Sequence, residues 1–229
     1  MEQYKVKKTN NRLLINVLFF GIFTILMVTI ILLFSNTTKK LPVYNPVDVN
    51  PRLVDKSVRN EKRGHKIGDF TLINQYGDTI TQDTFKGKIY VANFFFTRCK
   101  GICPIMATNM ETVQEAFKND DDVLFLSMSV TPVKDSVSVL NAYAKEKGAI
   151  KGKWHFTTGD KKHIYNLARK SYMAVLDEGD GGEQDFIHTE QFMLIDKKRQ
   201  IRGFYDGTKP EDIKLLIKDI RTLKKEYEK

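Results

Sequence analysis

Residues 13–34, LLINVLFFGIFTILMVTIILLF, form an apolar run without a single charged side chain. As an α-helix rising 1.5 Å per residue, 22 positions reach about 33 Å, enough for the roughly 30 Å hydrocarbon core of a bilayer. The run therefore predicts a transmembrane helix over Leu13–Phe34. A cleaved signal peptide is the competing reading, but its apolar stretch should span only about 7 to 15 residues and end at small residues. The following SNTTKK offers no such site. Basic residues crowd into Tyr4–Arg12, which favours a cytoplasmic tail over residues 1–12 and sends everything after Phe34 across the membrane. An intact anchor without an Arg-rich transit segment predicts a bacterial inner membrane, crossed once, with the C-terminal part on the periplasmic or extracytoplasmic side.

Beyond the anchor the chain turns polar. Residues 35–63 contain Pro42, Pro46 and Pro51 without sustained periodicity and are expected to be a tether. Residues 64–229 then alternate strand-like and helix-like patterns, as in an α/β domain built on a central sheet. Asp69–Ile73 and Thr79–Gln82 read as a hairpin around Gln75-Tyr76-Gly77-Asp78. Ile89–Phe96 and Val123–Val130 are nearly all apolar, as expected of central strands covered on both faces. Helices are predicted from near Pro104 through Phe117, over Ser136–Lys147, over Lys161–Tyr172 and over Pro210–Tyr227. A second hairpin is predicted from Gln191–Asp196 and Ile201–Tyr205. This order suits a thioredoxin-like sheet.

The formal charge is +9, and Lys5, Lys7, Lys8 and Arg12 against Glu2 put +3 of it in the first 34 residues, leaving +6 on the rest. Basic and acidic residues are interleaved, as over Lys209–Lys229, so the excess describes a solvated helical face and no nucleic-acid partner is expected.

The chain has two cysteines, four positions apart, in Thr97-Arg98-Cys99-Lys100-Gly101-Ile102-Cys103-Pro104. Residues four apart come close on a helix face or across a tight loop, so the sulfurs can pair or bracket one metal ion. Their place after a buried strand and before a helix N-terminus favours thiolate, the form that metals and disulfide exchange both need. A plain stabilising disulfide also suits an exported domain, but so short a loop restrains the unfolded chain little. Among His65, His155, His163 and His188, the candidate third ligand is His188, which sits after residues 179–184 and just before a strand. Two thiolates and an imidazole suit Cu(I), with zinc the rival where a fourth ligand is present. His155, between Trp154 and Phe156, reads as packing or surface, His65 and His163 as solvated, and Met106 as core.

In sum of motifs, the domain resembles the Sco/SenC family, thioredoxin-fold copper chaperones that assist assembly of cytochrome c oxidase. The resemblance spans Lys66–Tyr205. It rests on Ile67-Gly68-Asp69-Phe70-Thr71-Leu72, on Phe85-Lys86-Gly87-Lys88, and on Phe94-Phe95-Phe96-Thr97-Arg98-Cys99 with Ile102-Cys103-Pro104. It continues through Trp154-His155-Phe156-Thr157-Thr158-Gly159, His188-Thr189, Phe192-Met193-Leu194-Ile195-Asp196 and Tyr205-Asp206-Gly207. It implies that Cys99, Cys103 and His188 are copper ligands, that the metal is Cu(I) with Cu(II) as a further state, and that the recipient is the dinuclear copper site of oxidase subunit II. A metallochaperone, not an enzyme, is implied. The chain departs from many relatives in having Lys100-Gly101 where they have Pro-Asp. It also has Thr131-Pro132-Val133-Lys134-Asp135 where they have an acidic D-P-x-R-D-like segment, a candidate partner contact. The alternative function is a thiol-disulfide oxidoreductase keeping a partner's cysteines reduced without metal, with Cys99 and Cys103 as the redox pair, although such sites are usually C-x-x-C. A thiol peroxidase is a third reading without a recognisable peroxide motif.

Overall fold

The computed structural model describes residues 11–35, 40–175, 182 and 184–228. The chain divides into two compact units, Met1–Lys39 and Lys40–Lys229. The first holds helix α1, Asn11–Ser35. Its described side chains, residues 15–30, are exposed and, apart from Asn16, Thr24 and Thr29, apolar; Thr24 and Thr29 return their hydroxyls to the carbonyls of Phe20 and Ile25. Those 16 positions cover about 24 Å, and among the described residues no helix is long and apolar enough to cross a membrane. The expected span over Leu13–Phe34 extends at both ends past the described side chains.

The second unit is an α/β domain. Its strands are β1 (Thr71–Asn74), β2 (Thr79–Thr81), β3 (Ile89–Phe95), β4 (Val123–Ser129), β5 (Trp154–Thr158), β6 (Gln191–Ile195) and β7 (Ile201–Asp206). Its helices are α2 (Ile102–Ala116), α3 (Val137–Glu146), α4 (Lys161–Asn166) and α5 (Pro210–Tyr227). The strands form one mixed sheet in the order β2-β1-β5-β4-β3-β6-β7. β3, β4 and β5 run parallel, and the pairs outside them are antiparallel.

Every residue of β3 and β4 is buried, which explains their continuous apolar runs: alternate side chains feed two cores, one on each face of the sheet. Tyr90, Ala92, Phe94, Leu124, Leu126 and Met128 enter one core with Phe70, Phe85 and Tyr172. Ile89, Val91, Phe95, Val123 and Phe125 enter the other with Met106, Met110 and the apolar stripe of α5. Gly77 takes the φ of +87° that closes the first hairpin, and Asn74 Oδ1 accepts from the N–H groups of Tyr76 and Asp78.

Three elements differ from the sequence reading. Trp154–Thr158 is a sheet strand, although five residues with a histidine and two threonines show no clean alternation; its neighbours β4 and β1 on either side decide its conformation. The helix from Lys161, capped by Asp160 on the His163 N–H, changes at Leu167 to a π-turn ending at Ser171, where the Tyr172 N–H reaches the Leu167 carbonyl at 2.8 Å.

The segment expected to be a tether is a strap from Leu41 onward. Tyr44 bridges Ile201 and sets its ring edge-on to Phe204 at 5.4 Å, and Val54 is fully buried. Its short 3-10 turns at Pro46–Asp48 and Pro51–Leu53 have no helical or strand period to read. Arg202 clamps it: the guanidinium donates to the Leu41 and Pro42 carbonyls at 2.7 and 2.9 Å and to Asp196 and Glu226 at 3.1 and 2.6 Å, while Glu226 also accepts from the Leu41 N–H. Arg202 is 6% exposed and Asp196 1%. Removing one partner of such a buried cluster leaves charge unpaired at a cost of about 3–5 kcal/mol. Arg202→Ala is therefore expected to lower stability by that amount in urea unfolding and to open the strap near Leu41 to limited proteolysis; an unchanged midpoint would show that the clamp contributes nothing.

Candidate metal centre

The cysteine loop follows directly from β3 and ends where α2 begins. Cys99 lies on the loop with its N–H on the Phe96 carbonyl at 3.3 Å, and Cys103 lies in the first turn of α2. Both are free thiols, Cys103 buried and Cys99 partly exposed. Gly101 precedes the helix and has no capping side chain, so the first N–H groups of α2 turn to sulfur.

The two thiols are electrostatically unequal. Partial burial acts to raise the Cys99 pKa, but N–H groups of Cys103, Gly101 and Ile102 and the Cys103 thiol all bond its sulfur, and the net effect is a lowered pKa. At Cys103, burial is the largest cause and the charge and hydrogen bond of Cys99 add to it; these outweigh the Phe96 N–H and push the thiol up to about 12. Of the two, Cys99 gives up its proton the more readily, and the Cys103 thiol lies within hydrogen-bond reach of its sulfur.

His188 lies on the chain leading into β6, exposed between buried Ile187 and Thr189. It shares with Cys103 a narrow cleft of about 10 Å³, walled by Phe94, Phe96, Ile102, Val130 and Ile187. Such a space holds about one small atom and no organic cofactor. Roomier clefts, of about 590 Å³ beside Phe70 and Arg199 and 480 Å³ beside Phe117 and Arg221, contain neither cysteine nor His188. The structure thus brings the two cysteines together and sets His188 on the same cleft. It does not close the three into a ligand set: among the described residues no group of three or more His, Cys, Asp or Glu side chains could hold a metal ion.

The segment ahead of His188 is pinned. The Arg169 guanidinium donates to both Asp185 carboxylate oxygens at 2.8 Å, both side chains being buried, and the Asp185 carbonyl accepts from Lys161 Nζ at 2.8 Å and the Tyr165 hydroxyl at 3.1 Å. Phe186 packs edge-on against Phe96 of the cysteine loop at 5.2 Å. No motif pointed to Arg169 or Asp185, because the pair joins residues 16 apart through tertiary packing.

The other histidines are structural. His155 is buried against Phe85, with its pKa lowered chiefly by burial. His65, expected to be solvated, is only 6% exposed: Nε2 meets the Ser171 carbonyl at 2.8 Å and Nδ1 faces Glu61 at 3.4 Å. His163 is likewise half-buried in the first turn of α4. Met106 is core. The thiol asymmetry has a direct readout. Thiolate is the alkylating form, so each unit between two pKa values is worth about tenfold in thiolate fraction below both. With iodoacetamide near pH 8, Cys99 should label at least about tenfold faster than Cys103 by peptide mass spectrometry, the Cys103 rate still rising at pH 10; equal rates would refute the assignment.

The SCO1/SenC family model matches residues 58–225. The SCO1 protein homolog of Bacillus subtilis (strain 168) is 32% identical over 160 residues, 69% of this chain and 82% of that protein. The solved structure of BsSco, described with a disulfide switch and as a member of the Sco family of cytochrome c oxidase assembly proteins, aligns at a TM-score of 0.60 and 28% identity over 69% of this chain and 93% of that one. Arabidopsis thaliana ScoI with copper bound aligns at 0.53 and 25% identity, covering 67% and 97%. With the match running from the strap's end through the cysteine loop and the His188 segment into α5, the chain belongs to the SCO1/SenC family.

Proposed function

We propose that this protein is a membrane-anchored copper chaperone in which Cys99, Cys103 and His188 hold one copper ion for delivery to the dinuclear copper site of cytochrome c oxidase subunit II. The observation that carries the reading is the shared cleft of Cys103 and His188 beside a Cys99 whose thiolate is favoured by helix N–H groups. A relative solved with copper bound and another described among oxidase assembly proteins support it. Two thiolates and one imidazole are a soft set suited to Cu(I). Here copper is cargo, so the site must release as well as bind. His188, exposed and on its own segment, completes the set by moving onto the sulfurs and opens it by leaving. Oxidation of Cys99 and Cys103 to a disulfide removes two ligands together, and protons compete for all three.

The anchor is α1, with 1–12 as a cytoplasmic tail, 13–34 in the bilayer and the domain outside the cytoplasm. Its support is the charge-free run and the exposed, largely apolar surface of residues 15–30. A second reading, a thiol-disulfide oxidoreductase, is favoured by the same pair seen as nucleophile and partner: Cys99 as attacking thiolate, Cys103 as the buried thiol that resolves a mixed disulfide.

Anaerobic Cu(I) competition titrations on the reduced full chain separate the two. His188→Ala should weaken Cu(I) by at least about 10-fold, the scale seen for loss of even a ligand's supporting partner, while leaving reduction of a model disulfide intact. Unchanged Cu(I) affinity in that variant would overturn the three-ligand site and leave the thiol reading in place.

A further inference from the structure

The sequence offers Asp135 as the surviving acid of a segment that could face a partner. The structure turns it inward: Asp135 is 0% exposed. A buried carboxylate needs donors for its oxygens, and, with no ion pair to it among the described residues, this one takes them from hydroxyl and N–H groups. Oδ1 accepts from the Thr97 hydroxyl at 2.6 Å. Oδ2 accepts from the Ser129 and Thr131 hydroxyls at 2.5 and 3.0 Å and from the Thr97 N–H at 3.3 Å.

These donors fall into two groups. Ser129 and Thr131 belong to the end of β4 and its loop, the element that carries Asp135 itself. Thr97 belongs to the other side, two residues ahead of Cys99 on the loop that leaves β3. Among the described residues, and apart from the hydrogen bonds made by the two sulfurs, the Thr97–Asp135 pair provides the side-chain hydrogen bonds that tie residues 96–101 to the rest of the domain. The parallel pairing of Phe95 with Ser129 sets the two loops side by side, and the carboxylate closes the gap between them.

We infer that Asp135 is a positioning residue of the metal site: its carboxylate grips Thr97 at both hydroxyl and backbone, and so fixes where Cys99 stands relative to Cys103 and the cleft of His188. This rests on the copper reading proposed above. The grip is made from the β4 loop, so the donor geometry of one strand end is imposed by its parallel neighbour. Partners that orient ligands without touching the metal are typically worth 10- to 100-fold in metal affinity.

The test uses the reduced full chain in detergent micelles, with Cu(I) affinity from competition with a chromophoric chelator, the Cu(II)–thiolate absorption band, and thermal midpoints. Thr97→Val keeps the shape of the side chain and removes the hydroxyl; it is expected to weaken Cu(I) by about 10- to 100-fold and to shift the thiolate band. Thr97→Ser, which restores the donor, should return both toward wild type. Thr131→Val also removes a donor from Asp135, but one from the β4 loop and not from the cysteine loop; it should lower the thermal midpoint as Thr97→Val does while leaving Cu(I) affinity within about twofold. Asp135→Asn should behave as Thr97→Val where it folds. Affinity within twofold of wild type in Thr97→Val, or an equal loss in Thr131→Val, would overturn the positioning role and leave Asp135 a structural acid. A wild-type chain that binds no copper would overturn the copper reading itself and this inference with it, so the two failures are distinguishable.

Discussion

Seven register pairs, from Ile89 with Val123 to Phe95 with Ser129, join β3 and β4 in parallel at the centre of the sheet. Parallel neighbours end at the same edge, so the loops that leave them emerge together. One loop carries Cys99 and the start of α2; the other carries Thr131 and Asp135. The antiparallel pairing of β6 on the other side of β3 brings the start of β6, and with it the His188 segment, to that same edge. Everything the site contains is gathered by the direction of three strands. Because both faces of β3 and β4 are buried, a one-residue slip would move every side chain into the wrong core, and the register is correspondingly strict.

Within that frame, burial divides the labour. Cys103 sinks into the apolar core beneath the first turn of α2 and keeps its proton, while Cys99 stays at the surface with helix N–H groups on its sulfur. The asymmetry comes from a displacement of a single helical turn. It suits a ligand pair that must load and unload, and it equally suits a thiol pair that attacks and resolves. Two buried carboxylates hold the surroundings: Asp135 on the cysteine side through neutral donors, and Asp185 on the histidine side through Arg169. Near the start of β7, Arg202 binds the strap, so the residues from Leu41 onward are part of the domain's fold.

Much of the domain is legible in the sequence. β3 and β4 were readable because strands covered on both faces become unbroken apolar runs, and α5 because its apolar residues recur at helical spacing over 18 residues. The cysteine pair stood out by spacing alone. What failed to show was short or non-local. β5 has five residues whose strand character comes from its neighbours. The strap has no period because its contacts are made by single residues, Tyr44 and Val54, to distant partners. His65 looked solvated among charged neighbours, yet the fold closes over it against Ser171. Asp135 was visible as a retained acid, but sequence spacing says nothing about which way a loop carboxylate faces.

By itself the sequence determined the α/β class, the order of the principal strands and helices, the place of both thiols at a strand-to-helix junction, and the family to which those motifs belong. These are properties of local period, composition and short spacing, which a linear chain displays directly. Only the tertiary structure decided that Cys99 and Cys103 differ in proton affinity, that His188 shares a cleft with Cys103, 85 positions away along the chain, and that Asp135 points inward to Thr97. Those depend on burial and on contacts between segments far apart in sequence, and neither quantity exists until the sheet has assembled.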